Sequence, residues 1–413
     1  MPRTSPRSRG IVLVVGMGVA ALALTACDPP MPPDVAAAVA ERQLTCQAGT
    51  VRVSVPEAFP GSMTAVGDAL TSACAQQGVD QMTTEVADDP TAPVRIVPAA
   101  PSQAELDDFR SSACTSGDVL VVPAFAYPVS LAFNAPGFEG IVLSADAVAG
   151  ILSGSITTFS DPAIAATNEG YDFSSLPPIT VVGSSTPSGA VEAMTSWLSQ
   201  QAPQAWAAGA EAVLPVTSPA PSEADAVAAA LAAPSAVMVL PISVALNNGL
   251  AYASLQTQVP GTDGQPARAV NMSPDDSQLL KIGAGGTTVL AETPTSLTVS
   301  SGIGGIPAEG SFDVAASKIV LAADQPLAGW PVVGIAHMMV CDDPANPLPK
   351  SFAQYVVRLA GQGALETYGL TPLPEPIRLK TFAPLRVVVN PTDLPSDLAG
   401  SSSPSMASAS SGS

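Results

Sequence analysis

Residues Gly183 to Met194, GSSTPSGAVEAM, place four hydroxyl side chains and two glycines in front of an apolar stripe. A helix that opens there presents unpaired N–H groups and the positive end of its dipole. Small residues let an anion of phosphate size approach the backbone closely. The set that would face such a ligand is Ser185, Thr186, Ser188 and the N–H groups of Gly189 and Ala190. Plain capping uses the same residues: Thr186 or Ser188 as the cap, with Pro187 in the first turn. Downstream, Val191, Met194, Trp197 and Leu198 recur at helical spacing and are expected in the core.

No other constellation points to catalysis. The single histidine, His337, lies in the apolar run GWPVVGIAHMMV, where a hydrogen-bonded core imidazole is expected. The serines of GSSTPSG have no credible base and no Ser-His-Asp set is evident, so the chain does not read as an enzyme. The paired acids Asp107–Asp108, Asp275–Asp276 and Asp342–Asp343 fall in helix or turn contexts and read as solvated faces or caps. Asp161, before Pro162, reads as a helix cap. Neither a metal nor a cofactor is implied.

Charge narrows the partners. Acidic residues outnumber basic ones 35 to 15, and no Lys or Arg occurs between Arg110 and Arg268. Nucleic-acid phosphates need clustered cations, so DNA and RNA are excluded as partners. Three of the arginines, Arg3, Arg7 and Arg9, sit in the first ten residues. They form the basic start of a signal peptide whose apolar region runs from Ile11 to Ala26, too short for a typical membrane span. Leu24-Thr25-Ala26-Cys27 resembles the bacterial lipobox, which implies lipidation at Cys27 and attachment to the outer face of the cell membrane. Loss of residues 1–26 removes those three arginines and takes the formal charge from −20 to −23. Cys46, Cys74, Cys114 and Cys341 remain, an even number that suggests two disulfides with three possible pairings.

Between a Pro-rich linker (27–45) and a Ser-rich tail (391–413), strand and helix patterns alternate. TVRVSV, PVRIVPA, PITVVG and the buried run GWPVVGIAHMMV read as strands. SMTAVGDALTSACAQQG, SQAELDDFRSSA, SADAVAGILSG and SFAQYVVRLAGQGALETYG read as helices, the last with Phe352, Tyr355, Val356 and Leu359 on one face. DAVAAALAA followed by AVMVLPISVAL repeats the helix-then-strand order. DVLVVPAFAYPVSLAFN, interrupted at Pro123 and Pro128, reads as a strand crossing between lobes. The length and the alternation predict two α/β lobes around mostly parallel sheets, with a few added strands in 269–325.

Leu143 to Gly170 carries the most specific signature: Gly154, Ile156, Thr157, Asp161, Pro162 and Ile164 in a G-x-I-T-x-W-x-D-P-x-I pattern, with Phe159 at the tryptophan position. It closely resembles the phosphate-binding proteins of bacterial phosphate ABC transporters; GLAYASL (249–255), GWPVVG and GLTPLPEP agree. The resemblance implies a periplasmic-binding-protein-like (type II) α/β fold. Lobe 1 is then 46–124 with 327–390, and lobe 2 is 125–326, with solute bound between them and an ABC permease as partner. It also marks Phe59, in Ala58-Phe59-Pro60, as a ligand contact. The family's R-S-D-G-S-G-T loop corresponds to Ser184–Ala190, where Ser184 replaces the arginine and Ala190 the threonine. Pro98-Ala99-Ala100-Pro101 stands where the family has S-D-A-P, without its carboxylate. The anion site is thus degenerate: the expected solute is phosphate or another small polar molecule, and phosphate should bind weakly. The other function compatible with these losses is a surface scaffold or partner-binding module.

Overall fold

The computed structural model describes residues 41, 44–59, 61–79, 82–259, 268–272, 289–299, 311–313, 318–320, 330–373 and 375–387. Residues 1–26, expected to be a signal peptide, most of the Pro-rich stretch 27–45 and the Ser-rich stretch 391–413 lie outside the described residues, as do Asp275–Asp276. Strands β1 (Gly49–Ser54), β2 (Met82–Ala87), β3 (Val94–Val97) and β4 (Asp118–Phe133) come first. They are followed by β5 (Val142–Ser144), β6 (Thr180–Val181), β7 (Ala236–Pro241) and β8 (Ala251–Tyr252). Then come β9 (Ser254–Val259), β10 (Arg268–Met272), β11 (Val289–Thr293), β12 (Ser296–Val299), β13 (Ser311–Asp313), β14 (Lys318–Val320) and β15 (Val333–Asp342).

The main sheet runs β11-β12-β4-β15-β3-β1-β2, and its central member β4 also pairs with β7 and β8. Residues 118–128 of β4 lie against β15, whereas 129–133 lie against β7. One strand therefore belongs to both halves of a two-lobed α/β fold. Its side chains are buried from Leu120 to Phe133 without a break, which explains the continuous apolar run. The two prolines do not interrupt it. The β15 register shifts between Ala336 and His337, opposite Pro123, so a bulge accommodates the missing donor.

Local sequence accounts for most helices. Ser102 caps the helix Gln103–Ser112 in a reciprocal box with Glu105. Asp161 accepts the Ala163 N–H ahead of the short Pro162–Ala165 helix. Sheet direction differs from expectation, because the sheet is mixed. β1 is parallel to β2 and β3, but β15 runs antiparallel to both β3 and β4, and β7 runs antiparallel to β4. The crossing strand forces this: it is paired along its length by strands returning from either side. PITVVG contributes only Thr180–Val181, and AVMVLPISVAL changes at Pro241 from strand to the helix Ile242–Asn247. The late helix splits into Leu348–Val356 and Leu359–Leu365, because Arg358 is extended at the break. Leu359, expected on the apolar face, is consequently 59% exposed.

Covalent and polar staples tie late residues to early ones. Cys46 is bonded to Cys74 and Cys114 to Cys341, resolving the pairing that sequence leaves open. A disulfide of this kind typically stabilises by about 2–4 kcal/mol. Asp342 is not a solvated acid: it is buried, with Lys350 at 2.7 Å and Arg386 at 2.8 Å. Burial of a carboxylate demands such partners.

His337 is fully buried, as its surroundings require. Its Nε2 accepts the Val299 N–H at 3.1 Å and its Nδ1 faces the Ile335 carbonyl at 3.1 Å, so the neutral Nδ1–H tautomer fits. This bond docks β12, from the added segment, onto β15. Burial lowers the imidazole pKa to about 4. The unfolded chain therefore takes up this proton before the native one. The associated stability is complete above about pH 6.5 and is lost as pH falls toward 4, by roughly 3 kcal/mol in all. Because the histidine is unique, its imidazole NMR resonance should show a midpoint near pH 4. A midpoint above 6 would contradict this packing.

Candidate functional site

Four chain segments meet at the carboxyl ends of β1, β3 and β7 and in the loop after β6, the usual place for a ligand in an α/β sheet. They enclose a cavity of about 200 Å³. From the first lobe come Pro56, Glu57, Ala58 and Phe59, with Pro98 beside them. From the second come Thr186, Ser188, Ala190, Glu223 and Pro241, while Tyr127 of the crossing strand closes the floor.

Tyr127 is the pivot. Its ring lies 4.8 Å from that of Phe59, which in turn meets Phe125 edge-on at 5.0 Å. Its hydroxyl donates to the Pro98 carbonyl at 2.6 Å. Two glycines make room for it. A Cβ at Gly334 would stand 2.1 Å from the phenol ring. A Cβ at Gly189 would stand 2.5 Å from the hydroxyl and 2.3 Å from the Pro98 carbonyl oxygen. The opening of the helix Gly189–Gln201 thus abuts the first lobe directly.

The electrostatics are those of an acidic pocket. Burial raises the Glu223 pKa; a hydrogen bond from Ser188 works against this, and nearby Glu57 adds to it. Burial also raises that of Glu192, in the first turn of the Gly189–Gln201 helix. Burial first, then Glu223 and Glu192, hold the Tyr127 phenol well above its ordinary range, so it stays a donor. Among the described residues no cationic side chain lines the cavity.

Comparison with known proteins now places the chain. Residues 57–358, well over half of it, match the family model described as a PBP superfamily domain. The chain belongs to the PBP superfamily. Among solved structures, it is 17% identical to a high affinity periplasmic phosphate-binding protein, PfluDING, bound with phosphate (TM-score 0.52, covering 81% of this chain and 93% of that one). It is 16% identical to an ancestral soluble variant of the Human Phosphate Binding Protein (TM-score 0.50, 81% and 93%). It is 11% identical to a putative phosphate ABC transporter substrate-binding protein from Clostridium perfringens with bound phosphate (TM-score 0.45, 78% and 98%). No curated protein sequence matches significantly.

Within this PBP fold, Phe59, Thr186, Ser188 and Ala190 reach the cavity, whereas Ser185 and Gly189 do not line it. Ser185 is spent on the loop: its N–H donates to the Ala220 carbonyl at 2.8 Å. Thr186 pairs with Ser184 at 2.5 Å; Ser188 is the N-cap residue, but its side chain makes no capping bond, and Pro187 precedes the cap instead of standing in the first turn. The Ser188 hydroxyl turns instead to Glu223 Oε2, at 3.4 Å. Gly189 packs against Pro98 and Tyr127 rather than awaiting an anion. The signature at 143–170 is structural, since Ile156, Phe159 and Ile164 are buried and Asn168 clasps the Val142 backbone on both sides. Sequence reasoning missed Tyr127, Glu192 and Glu223. Glu223 looks like an ordinary first-turn acid beside the Ser222–Asp225 cap, and only the fold brings it to Ser188.

A methyl group at position 189 cannot be absorbed by a backbone carbonyl on the opposite lobe. Gly189→Ala should therefore lower stability to urea by about 1–3 kcal/mol, the usual penalty of overpacking. Unchanged unfolding would show that the lobes do not meet there.

Proposed function

We propose that this chain is an extracytoplasmic solute-binding lipoprotein. Residues 1–26 are removed, Cys27 carries the lipid, and residues 27–45 space the domain from the membrane surface. The cleft between lobe 1 (46–124 with 327–390) and lobe 2 (125–326) takes up a small polar solute and presents it to an ABC permease. The observation that carries this reading is the cavity at the strand ends, lined from both lobes of a PBP fold. A Cys27→Ala variant should be released from the membrane fraction, and full retention would remove the anchor from the proposal.

The solute is not expected to be phosphate held tightly. The relatives named above are described as binding phosphate, but here Ser184, Ala190 and Pro98-Ala99-Ala100-Pro101 supply neither a guanidinium nor a proton-accepting carboxylate. A charge-assisted bond to an anion contributes about 1.5–3 kcal/mol, and a helix dipole alone about 0.3–1 kcal/mol when exposed. Glu57, Glu192 and Glu223 add repulsion. Calorimetric titration of the mature chain with phosphate at physiological salt should give no submicromolar binding. Submicromolar binding would restore the phosphate carrier function. Failure of every small solute would favour the surface scaffold instead.

A further inference from the structure

The walls of the cleft identify the chemical class of its solute, on the premise above that this cleft is a solute site. Two carboxylates border the cavity, Glu57 and Glu223, and Glu192 stands one turn into the adjoining helix. Their partners are few. Among the described residues the Glu223 carboxylate receives one hydrogen bond, the 3.4 Å contact from Ser188. That is a poor return for a group with about four lone-pair positions, held in a partly buried place. Among the described residues no lysine or arginine lines the cavity to balance it, and none exists in the chain between Arg110 and Arg268. A carboxylate withdrawn from water without a counter-charge is unfavourable, and a ligand bearing a positive charge removes that penalty on arrival.

The rest of the lining narrows the cation. Phe59 and Tyr127, both almost fully buried, back the cavity with apolar atoms, and Pro56, Pro98 and Pro241 add aliphatic side chains without donors. All five side chains accommodate carbon rather than a second polar group. Among the described residues no three His, Cys, Asp or Glu side chains converge as a metal ion needs. A cavity of about 200 Å³ holds a body of several heavy atoms rather than a bare ion. Two carboxylates beside an apolar wall suit one kind of molecule.

We propose that the cleft binds a small organic ammonium ion, its nitrogen beside Glu57 and Glu223 and its carbon body against Phe59, Pro56 and Pro241. This choice also accounts for the missing guanidinium at Ser184. A cation there would compete with the ligand for the same carboxylates.

The test uses the purified mature chain and matched pairs of probes in calorimetric titration. Choline is paired with its uncharged carbon isostere 3,3-dimethyl-1-butanol, and butylammonium with its uncharged isostere 1-butanol; inorganic phosphate is the anionic control. At least one ammonium should bind tenfold or more tightly than its isostere, and phosphate more weakly than either ammonium. Glu223→Gln and Glu57→Gln, each checked for an unchanged circular dichroism spectrum, should weaken the ammonium about tenfold or more while leaving its isostere unchanged. Equal binding of ammonium and isostere, or binding of phosphate alone, would overturn the cationic class and leave the cleft a solute site. Absence of heat with all five probes would overturn both. Retention of full ammonium affinity in both variants would place the cation elsewhere and also reject the proposal.

Discussion

The backbone ladder of Asp118–Phe133 is the constraint on which the rest of the molecule depends. Sixteen residues of one strand supply hydrogen-bonding edges to β15 over their first part and to β7 over their last. Such a strand must be apolar on both faces, since helices and loops cover it on either side. It also holds Tyr127 at the junction of the lobes, one residue before Pro128 and opposite Gly334. The position of the phenol, and with it the floor of the cleft, follows from strand pairing rather than from any local motif. Gly189 and Gly334 are small because that ring must pass between them.

The cleft is organised by what it lacks. A PBP fold brings helix openings and strand ends toward a common point, an arrangement that favours anions. Here the same geometry is filled with carboxylates, and the hydroxyl at the helix opening serves Glu223 rather than a ligand oxygen. A PBP scaffold therefore does not by itself set the charge of its cleft, which depends on the side chains that line it.

Much of the fold was legible in the sequence because periodicity and capping are local. The Ser102–Glu105 box, the Asp161 cap and the stripe Val191, Met194, Trp197 and Leu198 appear where the residues place them. Strand direction was not legible, since parallel and antiparallel neighbours bury the same β-branched faces. Nor was the break at Arg358, which depends on tertiary packing. The site was only partly legible. Phe59, Thr186, Ser188 and Ala190 lie together, but Glu223 and Ser188 are 35 residues apart and no spacing rule connects them. Ser185 and Gly189 belong to the same loop but do not line the cavity: the Ser185 N–H bonds the Ala220 carbonyl and Gly189 lies close to Pro98.

The bond between Cys114 and Cys341 spans 227 residues of sequence, and the added strands β10 to β14 lie inside that interval. A peptide bond hydrolysed anywhere in the interval leaves both fragments on one covalent body. The late segment keeps its place beside β3 and β4. A chain stapled in this way tolerates a cut in that interval without losing either fragment.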